Sequence, residues 1–477
     1  MLPTPPPPGV HTPPIPITAL DHVMRDIIVT NGLIVDARLD ACKLENTITV
    51  LIERKFPRAG ARIAFRNGVY EFQVPQKFST DMPAVRFTVE NHVEAYSADP
   101  SRPKLPVDLA EFSASSPTIV NIPNLEPYFC CPGSPITLAE WIESKAPLMH
   151  VHFCVFNDLT FIGITAPHVG FDGVGMGMML QAWTRLLNGA DIDEIVGMDW
   201  DSEPFKSFLP RHSPATAIPK SVFGNGQLWQ AFGDPEQRHA FVRLPKQLLA
   251  DWKRQIMDEL QSRGSTEWVG TSDILLAWWY KETLGHRVND TTPMHLLLLS
   301  DIRNQPIFGS ATESIGQYIG NAIGFIPVRP IPMRVFNDWS VGQLALHLRR
   351  AINTYHANPA RIQAGLHYAF ANPEKLRLPC PAGAEWKMST NWLAADFGGL
   401  DFSGAQIHPR GAQTNSTKAR VRFVYPTMTE GRKRLPIREP SFKVLMEDEE
   451  AIWAIHGGGE KEWNNMRRRR NALETKL

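Results

Sequence analysis

The segment 150–187 restricts the possible folds more than any other part of the chain. Val151, Phe153 and Val155 alternate along one face, Asn157-Asp158 marks a turn, and an apolar run then continues through Ile164, a pattern that predicts a β-hairpin over 150–167. Directly after it stand His168-Val-Gly-Phe-Asp172-Gly173. Met176, Met179, Leu180, Trp183 and Leu187 then recur at helical spacing until Asn188-Gly189 stops the helix. A histidine set between a strand and a glycine-opened helix is carried on two rigid supports and can project into a cleft.

Spacing alone does not single out His168. Among 15 histidines, His22 and Asp26, and His286 and Asp290, stand at the same HxxxD interval. The commoner fate of a histidine is a structural one. His286 falls in a polar turn after a helix and His22 near a flexible end, so local context, not interval, selects His168. Other catalytic signatures are absent: the chain has no GxxxxGK[ST], GxSxG, HExxH or correctly spaced GxGxxG.

Composition narrows the class further. The 477 residues carry 49 basic and 49 acidic side chains, which removes the electrostatic case for a nucleic-acid or anionic-membrane binder. Hydrophobic residues make up 43%, enough for sizeable cores, and no apolar run is long enough to span a bilayer. Cys42, Cys130, Cys131, Cys154 and Cys380 fit neither a zinc scaffold nor a disulfide framework, and the N-terminus does not read as a signal peptide, so a reducing cytoplasmic setting is expected.

The chain then divides as follows. Residues 1–17 are a proline-rich N-terminal tail with extended character. Residues 18–189 form an N-terminal domain, opened by a helix whose buried face is Leu39, Leu44, Ile48, Leu51, Ile52 and Phe56. Periodicity lapses over 190–222, where Pro204, Pro210, Pro214 and Pro219 accumulate, which predicts a crossover linker. Residues 223–477 form the C-terminal domain, with a helix capped by Thr271 and Ser272 and running to Leu284, an apolar strand from Met294 to Leu299, and strands and loops in the last quarter.

Several short segments, in order, resemble the BAHD acyltransferases of the chloramphenicol-acetyltransferase-like superfamily, and most closely their fungal branch. They are Ile17-Thr-Ala-Leu-Asp21-His22, Phe56-Pro57-Arg58-Ala59-Gly60, the His168 segment, Ser300-Asp301-Ile302-Arg303, Tyr318-Ile319-Gly320-Asn321 and Asp396-Phe397-Gly398. The resemblance implies an α/β (α+β) fold of two similar domains, each a mixed β-sheet flanked by helices, with an active-site channel between them. It implies acyl-coenzyme A as co-substrate, no permanently bound cofactor, and a small specialised-metabolite alcohol or amine as acceptor. His168 would be the general base, and Asp172 would pair with Arg303 to hold the loop that aims it. Thr390 and Trp392 match positions that can donate to the oxyanion, and Asp396 of the Asp-Phe-Gly segment would shape the domain interface. Two departures stand out: Pro167 replaces the usual histidine, and Gly399-Leu400 replaces the Trp-Gly expected after Asp-Phe-Gly.

Lys418, Arg420 and Arg422 alternate on one strand face, and the first two are candidates for coenzyme A phosphates, although a solvated face is the commoner role of such a pattern. The run Arg467–Arg470 reads as a solvated helix end. His150 and His152 share a strand face, but no carboxylate or cysteine is spaced to complete a metal site with them and His168, so no metal is expected. Close helix packing explains Gly173, Gly175 and Gly177 better than a phosphate loop. The expected enzyme is a monomeric acyltransferase with neither nucleic-acid nor membrane partners. Two alternatives remain: a carrier-protein-dependent condensation enzyme, which shares the HxxxDG segment, and a catalytically silent binding homologue.

Overall fold

The structure, a computed structural model, describes residues 12–108, 112–113, 115–209, 237–285, 293–373, 385–408, 418–430 and 441–466. Cys380, His286 and Asp290, Arg467–Arg470, residues 1–11 of the proline-rich stretch and 210–222 of the expected crossover lie outside them.

Two sheets organise the described residues. The first has five strands in the order Val421–Glu430, Ile27–Val35, Thr160–Pro167, His150–Val155 and Arg86–Asn91. His150–Val155 and Thr160–Pro167 pair antiparallel as the expected hairpin, with Val155 opposite Thr160 at the turn end. The second sheet runs Ile323–Pro327, Pro293–Asp301, Glu385–Asn391, Ser441–Glu447, Ala451–Gly459, Gln237–Pro245 and Thr118–Asn121, with Ile331–Pro332 beside Pro293 and Met294. A smaller sheet joins Ile15–Pro16, Val69–Gln73 and Arg62–Arg66. Ile15 and Ile17 are buried, so the end of the proline-rich stretch is built into the fold.

The two sheets exchange strands. Val421–Glu430, late in the chain, lies antiparallel to Ile27–Val35 in the first sheet. Thr118–Asn121, early in the chain, pairs with Gln237–Pro245 in the second. Each sheet therefore depends on a segment from the other half of the chain, and neither edge is completed by contiguous sequence.

Helices cover the sheets where apolar stripes predict them. Ala41–Lys55 starts at Asp40, whose side chain accepts from the Lys43 N–H, and buries Leu44, Ile48, Leu51 and Ile52. Gly173–Leu187 packs beside it, and Trp183 Nε1 donates to Thr47 Oγ1 at 2.9 Å. Against the second sheet lie Lys246–Ser262, Thr271–Leu284 and Val341–His356. Thr271 and Ser272 are the first helical residues and not caps: the cap is Gly270, whose N–H donates to Asp273 Oδ2 at 2.7 Å. The last quarter also contains the helix Pro359–Ala371, started by Asn358 with proline in its first turn, where its missing N–H costs nothing.

The described part of the crossover is fastened down. Arg58 donates to the Trp200 carbonyl (Nε, 3.0 Å; Nη2, 2.8 Å) and to Ser202 O (2.6 Å), and its guanidinium lies 5.8 Å from the Tyr318 ring centre. Phe205 stacks on Phe370 with ring centres 5.4 Å apart. One segment thus bridges the helix-rich face of the first sheet and the loop that precedes Asn321.

Glycines bring the helix Gly173–Leu187 unusually close to its neighbours. A Cβ on Gly175 would stand 2.0 Å from Ile319 O, and one on Gly177 2.2 Å from Ala395 O. Both contacts are to backbone, which cannot rotate away. Gly175→Ala is therefore expected to lower stability by about 1–3 kcal/mol, the range for overpacking, and to reduce activity with it. Chemical denaturation tests this, and unchanged stability would contradict the packing argument.

Candidate active site

His168 follows the strand Thr160–Pro167, and its N–H extends that strand's pairing by donating to Ile27 O at 2.8 Å. From the other side, Asn321 Nδ2 donates to the His168 carbonyl at 2.8 Å. The same Nδ2 donates to Asp21 Oδ1 at 2.8 Å, and Asp21 Oδ2 accepts from the Thr18 N–H, also at 2.8 Å. Asp21 and Asn321 are fully buried, so this chain of bonds fixes the histidine backbone between two distant segments.

The imidazole is half-buried and lines a cavity. Its Nδ1 is shut away from solvent. Burial is the largest influence on the ring and pushes its pKa below the ordinary 6.5; the Lys443 charge acts in the same direction, while Asp172 and the Asn321 side chain pull the other way. At neutral pH the ring is consequently uncharged and able to accept a proton.

Asp172 contributes to the cavity wall, but its carboxylate is committed to protein donors. Its Oδ1 accepts from Arg303 Nη2 at 2.8 Å and from the Gly175 N–H at 2.7 Å, which makes it the N-cap of the helix Gly173–Leu187, and its Oδ2 accepts from the Ala322 N–H at 2.9 Å. Arg303 also donates to Tyr318 O (2.9 Å), Gly320 O (2.7 Å) and Asp301 Oδ1 (2.8 Å). The Asp172 and Arg303 side chains are 4% and 3% exposed, so the pair is desolvated, and each guanidinium nitrogen and each carboxylate oxygen in it has a partner.

Both sheets build the cavity. Ile27, Val29, Asn31, Ala166 and Pro167 come from the first, Leu299, Met388, Thr390 and Lys443 from the second, and Trp392 closes it. Thr390 and Lys443 are register partners on parallel strands and so share a face. Trp392 is held by its N–H, which donates to Val444 O at 2.9 Å, and by Phe397, whose ring meets it edge-on at 6.0 Å. A Cβ on Gly173 would come within 3.7 Å of the Trp392 ring, so the indole lies against the first residue of the helix that Asp172 caps.

No protein-family model matches the chain. The acetyltransferase adrJ of Penicillium roqueforti is 28% identical over 423 residues, 81% of this chain and 81% of that protein. F. graminearum TRI101, solved with coenzyme A and deoxynivalenol, superposes with a TM-score of 0.65 at 16% identity over 96% of this chain and 97% of its own. Vinorine synthase superposes with a TM-score of 0.57 at 15% identity over 97% and 93%. The fold is therefore shared with TRI101 and vinorine synthase, and the curated relatives that the chain resembles include fungal acetyltransferases and O-acyltransferases. Its mixed α/β architecture, built on two large sheets, follows that of TRI101 over nearly the whole chain.

Within this fold the remaining expected site residues separate. Asp396 is exposed, sits in the left-handed region at φ 50°, and belongs to the turn that packs Ala395 onto Gly177 and seats Phe397 under Trp392. It does not line the cavity of His168. Lys418 and Arg420 do not line it either: Lys418 Nζ lies 3.6 Å from Asp401, and Arg420 bridges to Asp401 in an isolated strand pair. Asp401 O accepts from Asn188 Nδ2 at the far end of the helix Gly173–Leu187, about 20 Å from the cavity at 1.5 Å per residue.

Lys443, Asn321 and Asp21 emerge only from the structure. Asn321 and Asp21 lie in segments that carried the family likeness, without any sign in the sequence of what they hold. Lys443 did leave a trace: it interrupts Phe442-Lys443-Val444, where both neighbours are 1% exposed, and a single cation in a buried strand faces something other than apolar core.

Proposed function

We propose that the chain transfers an acyl group from an acyl-coenzyme A to the hydroxyl or amino group of a small specialised metabolite, with His168 as general base. The observation that carries this reading is an imidazole kept neutral by burial, in a cavity lined from both sheets, beside an aspartate whose oxygens are engaged by Arg303, Gly175 and Ala322. The coenzyme A bound to TRI101 supports the donor, and the deoxynivalenol beside it supports a small-molecule acceptor.

In this mechanism Nε2 takes the acceptor proton as its oxygen or nitrogen attacks the thioester carbonyl. The tetrahedral oxyanion receives hydrogen bonds from Thr390 and Trp392, and one such donor is worth about 10²–10³ in rate. Collapse expels the coenzyme A thiolate, and the imidazolium returns the proton to it. No covalent enzyme intermediate forms. Asp172 and Arg303 act as positioning residues, and Asp396 supports the turn under Trp392. Residues 18–189 and 223–477 serve as the two domains, with 190–222 as the crossover. A cytoplasmic monomer suits this reading, because one chain supplies every residue of the cavity and its few cysteines suit a reducing compartment.

Incubation of the purified chain with a panel of acyl-coenzyme A thioesters and hydroxylated or amine acceptors, read by mass spectrometry and thiol release, tests the proposal. Acylated acceptor with an equal amount of free thiol is expected. Product only from a carrier-bound thioester would instead favour the condensation enzyme, and no product from any donor would favour the silent homologue.

A further inference from the structure

We propose that Glu90, His92 and Cys154 form a zinc site at the edge of the first sheet, remote from His168. Arg86–Asn91 is that sheet's outer strand and runs parallel to His150–Val155, with Glu90 opposite Cys154. The pairing continues past the strand end, where the His92 N–H donates to Val155 O at 2.8 Å. Side chains two apart share a face, so Glu90 and His92 both project beside Cys154. Their ligand atoms all lie within 4.8 Å of one another.

The geometry suits a tetrahedral ion. His92 Nε2 and Cys154 Sγ are 3.3 Å apart. Zinc bonds of about 2.3 Å to sulfur and 2.0–2.1 Å to nitrogen set those atoms roughly 3.5 Å apart in a tetrahedron. Glu90 is exposed, and its side-chain torsions can bring a carboxylate oxygen the remaining distance, leaving a fourth position for water. On binding, the Cys154 thiol releases its proton to water and the thiolate and the imidazole nitrogen both bind the metal. A thiolate, an imidazole and a carboxylate together favour zinc over magnesium or calcium.

An outer layer of contacts already orients the histidine. Its Nδ1 faces Glu94 at 3.8 Å, Glu94 accepts from Arg102 Nη2 at 2.6 Å, and the ring stacks on Phe156 at 4.1 Å with the planes 4° apart. A carboxylate behind the non-ligating nitrogen is the usual companion of a metal-bound histidine. Cys154 stands at the turn end of the hairpin and His168 at the other, roughly 20 Å away at 3.3 Å per residue, so the ion would clamp an edge strand and take no part in acyl transfer. Spacing along the sequence conceals the site, because Cys154 is far in the chain from Glu90 and His92.

Cobalt titration of the full chain after chelator treatment tests the site. A thiolate-to-cobalt charge-transfer band with tetrahedral visible bands is expected, saturating at about one ion per chain and displaced by zinc. Cys154→Ser should abolish the band. Glu90→Gln, at an exposed position that folding does not need, should weaken affinity about tenfold or more and abolish any zinc-induced rise in melting temperature. No charge-transfer band in the unaltered chain, or the same band in Cys154→Ser, overturns the proposal and leaves an adventitious ion only.

Discussion

Replacing Asp172 by alanine is expected to destabilise the chain by about 3–5 kcal/mol, the cost of leaving one member of a buried ion pair without its partner. Three bonds vanish together: the ion pair to Arg303, the cap on Gly175 and the acceptor for Ala322. Arg303 keeps Asp301, which is 25% exposed, and two backbone carbonyls, so the charge is partly compensated and the loss belongs at the lower end of the range. Asp172→Asn retains an acceptor for the helix cap and should lose less. Activity should fall in both variants, because the cap and the Ala322 contact hold the residues on either side of His168 and Asn321. Urea denaturation beside turnover measurements tests the prediction; a variant with full stability and no activity would make Asp172 a participant in proton transfer instead.

His168→Ala is expected to do the opposite. Removing a positioned base costs about 10²–10⁴ in rate, so turnover should drop by at least that range. Stability should change far less than on loss of Asp172, since the lost ring is half-buried and carries no buried ion pair. Its backbone bonds to Ile27 and Asn321 survive the substitution. Steady-state kinetics with melting curves separate the two variants. Equal stability losses in both would remove the division of labour between base and support.

The contrast reflects how differently these residues are written in the sequence. His168, the hairpin before it and the helix after it are local: alternation, a turn pair and helical spacing suffice, and those elements form where the pattern puts them. The Asp172–Arg303 bond joins residues 131 apart, and nothing in periodicity or composition points to it; only the family likeness suggested that pairing. Lys443 reaches the cavity through the register of parallel strands, which sequence patterning leaves open, and the strand exchange between sheets was illegible for the same reason. Lys418 and Arg420 show the converse case: a basic face was plain in the sequence, but its place at the far end of the helix Gly173–Leu187 was not.

The central claim is that a neutral imidazole at position 168 accepts the acceptor's proton. Burial lowers its pKa below the ordinary 6.5, so the base form dominates at neutral pH and is lost only as pH falls through that lowered value. The most direct test is the pH dependence of kcat/KM for acyl transfer, which reports the free enzyme's essential base. A plateau at neutral pH and a one-proton fall whose midpoint lies below 6.5 is the predicted profile, with that fall absent from the residual rate of His168→Ala. A rate independent of pH across the acid range, or the same fall in both proteins, would contradict the account.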